Sequence, residues 1–372
     1  MSGMFTVYES VYAYAKGFNT GLYQGCLTSV LSRPNDKIYT PKGKVTKIRQ
    51  VDAGGAGTYN KQTGFMGTYG GGRGVEYIDY EAKNDRVKVL RVDALDELQS
   101  FEAGQVPSIQ ALAKDFMDNH LCAEIDASNI AEWYNKVPVA NRHINTENGY
   151  KTDIDNILNT HLQIRADVFN SGFRGRVFLF ERSDVYANFL AALIKNNALA
   201  AMCKTERVPF VFPTGFEADE ELGIEDKLTV YLEVTKFNNM WIIEMPSDRM
   251  FTKIILNDGV SEGQEDGGYI GDITSAGGGL IDILAIPEPA GFTDTRYLVA
   301  NYLVPGEYYN DAARQIELRD INKRMYGNVE IGYAGVNQKG NDFEYDIRIM
   351  YGGDLFDNRK RNCFAITGPL AE

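Results

Sequence analysis

The clearest hydrophobic pattern in the chain lies at 106–137, VPSIQALAKDFMDNHLCAEIDASNIAEWYNKV. There Ile109, Leu112, Ala113, Phe116, Met117 and Leu121 recur at i, i+3 and i+4, which predicts one amphipathic helix. A second helix is predicted after Asp153, a suitable cap, with Ile154, Ile157, Leu158, Leu162 and Val168 on one face. The run RVFLFER (176–182) predicts a buried strand, which leads through Ser183, another candidate cap, into an apolar helix over 184–202. After an acidic loop at 217–226, TVYLEVTKF and MWIIEMP predict two more strands, and residues 262–279 read as a glycine-rich link rather than an element. Strand-like segments return at 280–287, 328–336 and 342–353. No fixed-period repeat connects these pieces, and their order predicts mixed α+β units instead of a strict βαβ succession.

The front of the chain is patterned differently. KVTKIRQVDA (44–53) and VEYIDY (75–80), continuing through RVKVLRVD (86–93), predict long strands on either side of a glycine cluster at 54–74. That is a long hairpin with a flexible tip. An arm of roughly 20 residues at ~3.3 Å each reaches ~65 Å, against a radius of gyration of ~21 Å for a compact chain of this length, so the hairpin overhangs its own body. Residues 1–43 carry aromatic pieces broken by Gly17, Gly21, Gly25, Pro34 and Pro41, better suited to an extended arm than to a packed domain. Tyr8, Tyr12, Tyr14, Phe18 and Tyr23 on that arm need a surface to lie on.

A length of 372 residues allows about two or three compact units. The net charge of −13 opposes a broad electrostatic hold on nucleic acid. Cys26, Cys122, Cys203 and Cys363 form no short pair, which argues against a CxxC metal site or a disulfide framework and for a reducing compartment. The N-terminal stretch lacks a signal peptide's basic start and apolar run, and no 18-residue apolar run occurs, so the expectation is a soluble protein made in the cytoplasm.

Candidate chemistry is sparse. In GTYGGGRG (67–74), Gly67 and Gly72 have phosphate-loop spacing, but Arg73 and Gly74 replace the lysine and the hydroxyl, and a strand follows where a helix is required. The dinucleotide pattern fails at Val75. His120, His143 and His161 have no ligand-spaced partner, and His120 reads as a packed or interfacial side chain. The carboxylate groups Asp93/Asp96/Glu97 and Glu124/Asp126 could serve acid–base chemistry only if their environments split the pKa values. The acidic loops at 217–226 and 262–272 lack the DxDxDG register of a calcium loop. The expectation is no catalytic residue, no metal and no cofactor.

Several short motifs, in one order, resemble the tailed-bacteriophage (Caudoviricetes) major capsid protein family of the Hong Kong 97 fold. Tyr59 with Gly64 and Gly67 resembles the tip of that family's extended loop, and Asp85-Arg86 its D-R pair. Val92-Asp93 with Asp96-Glu97 is similar to the I-D..D-E pattern, and Ala123-Glu124-Ile125-Asp126-Ala127 to P-E-I-D-A, with alanine in place of the usual proline. Trp241 to Pro246, with Ser247, Arg249 and Met250, resembles I-I-E-V-P-x-S-R. Ile281 to Ala290 resembles the strand and helix start where the chain re-enters its peripheral domain.

The resemblance implies an α+β capsid fold: an N-terminal arm (1–43), an extended β-hairpin loop (44–97), a peripheral domain with a long spine helix (98–140), an axial domain (141–275) and a second peripheral part (276–372). It implies a non-enzymatic shell protein that self-assembles through pentamers and hexamers into an icosahedral virion shell around a double-stranded DNA genome, enclosing the DNA without reading its sequence and with no membrane. Portal, scaffolding or decoration proteins are the further partners it implies. Intersubunit contacts are expected at Tyr8, Tyr12, Tyr14, Phe18, Tyr59, Lys61, Phe65, Met66, Tyr69, Arg73, Asp85 and Arg86. Lys61 and Lys83 occupy the region where some relatives cross-link a lysine to a neighbour's asparagine. No long charged helical segment precedes the arm, which implies no fused scaffolding domain. An encapsulin-like nanocompartment shell is the nearest alternative; a carboxylate-based hydrolase is the alternative of a different class, as is another virion component such as a tail or decoration protein.

Overall fold

The computed structural model describes residues 20–31, 37–39, 45–52, 74–81, 84–93, 95, 96, 99, 108–146, 149–213, 227–257, 268–305, 329–331, 334–337 and 342–371. Residues 20–25 are helical and Leu27–Leu31 form a 3-10 turn. Strands β1 (Lys37–Tyr39), β2 (Val45–Asp52), β3 (Gly74–Glu81) and β4 (Asn84–Asp93) follow. Helix α1 (Ser108–Phe116) runs through a π turn (Met117–Leu121) into α2 (Cys122–Lys136). Next come β5 (Arg142–Ile144), α3 (Ile157–Asn170), β6 (Val177–Arg182), α4 (Ser183–Lys195) and the short α5 (Asn197–Ala200). Strands β7 (Cys203–Pro213), β8 (Lys227–Phe237), β9 (Met240–Met245), β10 (Ile254–Asn257), β11 (Gly268–Gly271) and β12 (Ile281–Pro287) lead to β13 (Gly291–Pro305). The chain ends through β14 (Val329–Ile331), β15 (Ala334–Asn337), β16 (Asp342–Leu355) and β17 (Phe364–Thr367).

The body is built on a seven-stranded sheet ordered β5-β17-β12-β6-β9-β8-β7. Both faces of its central strands are covered, which is why β6 and β12 read as unbroken apolar runs, whereas β8 alternates exposed and buried residues toward the β7 edge. On one face Phe178, Phe180, Leu284, Ile286, Ile243 and Met245 pack with Ile130, Trp133 and Tyr134 of α2. On the other, Val177, Leu179, Ile283, Ala285, Met240 and Ile242 pack with Ile157, Ile164 and Val168 of α3 and Val185, Phe189 and Ala192 of α4. The alternation along β6 and β9 is the period-two signature of a strand with a layer on each side. A register shift between Ile281 and Ile283 leaves Asp282 as the extra residue. Its fully buried carboxylate accepts from Arg182 Nη2 at 2.7 Å, Asn145 Nδ2 at 2.7 Å and Thr152 Oγ1 at 2.8 Å.

A second sheet, ordered β14-β13-β16-β4 with β15 also on β13, lies against α2 through β16. Strands β10 and β11 form a separate two-stranded ribbon. Strands β2 and β3 pair antiparallel from Val45↔Glu81 to Asp52↔Gly74, as the sequence pattern expects, but the return strand does not run on through 93 beside β2, because Asn84–Asp93 pairs with β16 in the second sheet. Strand β1 pairs antiparallel with β2 from Lys37↔Ile48 to Tyr39↔Thr46. This three-stranded ribbon shares no strand with either larger sheet.

Several expectations are corrected. Residues 20–31 are not extended: Leu22, Tyr23, Cys26 and Leu31 are buried, because the turn lies on α2 and removes its apolar side from water. The long helix contains a π turn. The buried ladder Ile109, Ala113, Met117, Leu121 and Ile125 is spaced by four, which drifts about 40° per step on a regular helix; the wider π turn takes up part of that drift. Asp153 is not the cap residue of α3: the helix starts at Ile157, and Asn156 before it makes no side-chain cap bond, while Asp153 closes the preceding turn by accepting from the Asp155 and Asn156 backbone N–H groups at 3.1 Å. Ser183 does not cap: it is the first residue of α4, and its hydroxyl pairs with Ser247 at 2.9 Å. The predicted helix over 184–202 breaks at Asn196, whose φ of −127° and ψ of 85° are not helical.

Within 262–279, residues 268–271 are a strand, because β10 supplies the backbone partners that a glycine-rich stretch needs in place of side-chain packing. After Ala290 the chain enters the 15-residue strand β13, not a helix, since β16 offers a continuous antiparallel partner from Leu355 to Glu344.

Candidate assembly interface

The node that joins the most distant parts of the sequence is the first turn of α2. Glu124 and Asp126 are two residues apart, about 200° around the helix axis, so their carboxylates leave in different directions. Both are buried.

Glu124 faces the second sheet. Arg86 of β4 donates Nε to Oε1 at 2.7 Å and Nη2 to Oε2 at 3.0 Å, a two-point pairing, and Nη2 also donates to the Gly268 carbonyl at 3.1 Å. The Tyr351 hydroxyl of β16 donates to Oε1 of the same carboxylate. The hydrogen bonds it donates to Glu124 hold the Arg86 guanidinium above its ordinary value. Burial, reinforced by the Glu124 charge, pushes the Tyr351 phenol far up, so it remains a donor.

Asp126 faces the N-terminal segment. Its Oδ1 accepts from Thr28 N at 3.0 Å and Thr28 Oγ1 at 2.6 Å; its Oδ2 accepts from Leu27 N at 3.0 Å and Arg249 Nη1 at 2.7 Å. Arg249 Nη1 also donates to the Gly25 carbonyl at 3.0 Å. Burial pushes the Asp126 carboxyl up, opposed by the Arg249 charge and the Thr28 bonds. Nearby, Asn129 Nδ2 donates to Thr28 Oγ1 at 3.0 Å and Asn84 Nδ2 to Ser128 Oγ at 2.6 Å.

The two carboxylates therefore do not form a shared dyad: each is paired with its own arginine. What the arrangement does is mechanical. One helical turn fixes residues 25–28, β4, β11, β16 and the 249 turn to one another. Preceding β4 in the chain is β3 of the three-stranded ribbon.

Of the expected contact residues, Tyr8, Tyr12, Tyr14, Phe18, Tyr59, Lys61, Phe65, Met66, Tyr69 and Arg73 lie outside the described residues, as do Lys83, Glu97 and the 217–226 loop. Asp85 pairs across the ladder with Met350 and Arg86 with Ile349 on the outermost strand of the second sheet. Arg86 is bound within the chain by Glu124. His120 is exposed, 5.9 Å from the Phe116 ring centroid, so it is not packed in the core. His143 stacks on Tyr150 at 3.9 Å. His161 is wholly buried, its Nδ1 2.8 Å from the Ile157 carbonyl and its Nε2 3.2 Å from Glu181 Oε2. Asp93 Oδ1 accepts the Leu95 N–H at 2.7 Å. Among the described residues no three or more His, Cys, Asp or Glu side chains gather as metal ligands, and no helix is long and apolar enough to cross a membrane.

Sequence reasoning matched the letters around Glu124, Asp126 and Arg249 but missed their pairing. The available signal was two carboxylates placed among the buried positions of an amphipathic helix, since a buried charge demands a counter-ion.

No family model matches the chain, and no curated protein does. Among solved structures, it is similar to a virus-like particle from Pyrococcus furiosus, with 9% identity over 97% of this chain and 98% of that one, at a TM-score of 0.40. It is also similar to a structure from Mycobacterium phage Ogopogo, with 10% identity over 93% of each chain and a TM-score of 0.40. The mature capsid of bacteriophage PhiM1 matches with 11% identity over 91% of this chain and 87% of that one, at a TM-score of 0.35.

Proposed function

We propose that this chain is a major capsid protein of the Hong Kong 97 fold, a structural subunit that self-assembles through pentamers and hexamers into an icosahedral shell around a double-stranded DNA phage genome. The observation that carries the reading is the β1-β2-β3 ribbon, which shares no strand with the body's sheets. Among the described residues β1 and β3 each have one unpaired edge, and such an edge is a template on which another chain can add a strand. The N-terminal arm and the hairpin tip, with Tyr8, Tyr12, Tyr14, Phe18, Tyr59, Lys61, Phe65, Met66, Tyr69 and Arg73, lie on neighbouring subunits in this reading. The turn at Glu124 and Asp126 anchors both projections on the spine helix. The contacts are heterologous, so rotation closes them into rings. In this reading the peripheral domain comprises 98–140 and 276–372 and the axial domain 141–275; β12 and β17 pair within the same seven-stranded sheet as β5 to β9.

Electron microscopy of the purified protein tests this. Closed shells are expected; a monodisperse monomer under every assembly condition overturns it. Nucleic acid inside shells made in the producing cell supports a genome container, whereas packaged protein indicates a nanocompartment. Deleting residues 54–74 is expected to abolish shells while leaving the body's unfolding transition in place, and loss of that transition shows that the tip belongs to a core.

A further inference from the structure

The four cysteines are far apart in sequence, yet folding brings two of them together. Cys26 closes the helical turn of the N-terminal segment and Cys122 opens α2. Both are buried, with their sulfurs 2.8 Å apart across 96 residues of chain. The approach is built into the backbone: a Cβ on Gly25 would stand 2.7 Å from Cys122 Sγ, and one on Gly21 would stand 2.6 Å from Met117 Cβ, so only glycines let the segments come this close. Leu27 and Thr28, bonded to Asp126, hold the segment one turn further along α2. The Cys122 thiol donates to the Gly21 carbonyl at 3.4 Å. A disulfide needs sulfurs at about 2.05 Å, so closure requires a movement of under ~1 Å.

We propose that Cys26 and Cys122 are a disulfide-forming pair, a modification site that staples the N-terminal segment covalently to the spine helix when a small-molecule disulfide such as oxidised glutathione is present. One cysteine thiolate attacks a sulfur of the oxidant, forming a mixed disulfide and releasing one thiolate. The second cysteine thiolate then attacks the protein sulfur of that bond, forming Cys26–Cys122 and releasing the other thiolate. The two cysteine protons end on the two small thiols, and the oxidant is reduced by the two electrons the protein loses. Burial pushes both thiols up from their ordinary value, so the first attack takes place when residues 20–31 lift from α2, and re-docking delivers the second sulfur. The bond forms whether or not the chain builds shells; its consequence for the arm rests on the shell reading.

The test equilibrates the full chain, with Cys203→Ser to remove the partly exposed thiol, against a reduced/oxidised glutathione buffer. The sample is quenched in acid, alkylated in denaturant and digested for peptide mass spectrometry. The expected result is a cross-linked pair of peptides containing Cys26 and Cys122, with Cys363 fully alkylated. The midpoint of thermal unfolding is expected to rise by about 5 °C, the scale for a cross-link that closes a loop of roughly 100 residues. Cys122→Ser in the same background is expected to abolish the cross-link. Recovery of both cysteines alkylated, or each carrying glutathione without a cross-link, overturns the proposal. So does an equal cross-link yield in urea, since the folded approach of the two sulfurs would then play no part.

Discussion

Replacing Asp126 with asparagine is close to a pure test of the node on α2, because the side chain keeps its shape and loses only charge and one acceptor. Asp126 accepts four hydrogen bonds, two on each oxygen. The substituted amide can turn its oxygen toward Thr28 or toward Leu27 and Arg249, and its NH2 group then faces the donors on the other side. Two bonds are lost, and Arg249, with only 15% of its side chain exposed, keeps its charge without its counter-ion. Breaking one partner of a buried pair costs about 3–5 kcal/mol, much of it the stranded charge. The assay is urea unfolding of the unassembled chain followed by fluorescence of its two tryptophans, of which Trp133 is buried on the same helix two turns along. Arg249→Met is expected to cost a similar amount, because it strands the carboxylate instead. The double variant strands neither, so its cost is expected to fall short of the sum by about 2 kcal/mol or more. A cost under ~1 kcal/mol for D126N, or an additive double variant, would refute the clamp.

Arg86→Lys retains the charge but cannot make the two-point pairing to Glu124 while also reaching the Gly268 carbonyl, so a loss of about 1–2 kcal/mol is expected, with Arg86→Ala costing more; equal denaturation midpoints for all three proteins would contradict it. Gly25→Ala places a methyl group 2.7 Å from Cys122 Sγ and is expected to destabilise by about 1–3 kcal/mol and to speed proteolysis of residues 20–31. A neutral result means the segment sits further from α2. Burial lowers the pKa of His161, but the Glu181 charge and hydrogen bond outweigh it and leave the folded value above 6.5. A raised folded value means that its contribution is complete below about pH 6.5 and is lost as pH rises through the folded pKa. The advantage in thermal midpoint of the wild type over His161→Gln is therefore expected to shrink as pH rises above about 6.5; a difference that grows with pH, or does not change, rejects the pairing.

Local pattern is a strong guide wherever a segment's own side chains decide its conformation. The helix at 106–137, the strands at 176–182 and 240–246 and the pairing of 44–53 with 75–80 were all legible, because a 3.6 or 2.0 period acts within a few residues. The misreadings fall where a distant partner decides. Residues 268–271 are a strand only because β10 is beside them, and residues 291–305 only because β16 runs alongside. Residues 20–31 look like arm until α2 offers a surface to cover.

The node followed the same rule. Glu124, Asp126, Arg86 and Arg249 were all visible as letters, and their charges alone said that burying any one of them requires an opposite charge. Which arginine meets which carboxylate depended on β4 crossing one side of the helix and the 249 turn crossing the other. The cysteines make the contrast plainest. The sequence by itself determined that Cys26 and Cys122 are thiols far apart in the chain, and that Gly21 and Gly25 present no side chain. Only the tertiary structure decided that these glycines face α2, where their missing Cβ atoms let two sulfurs 96 residues apart come within 2.8 Å.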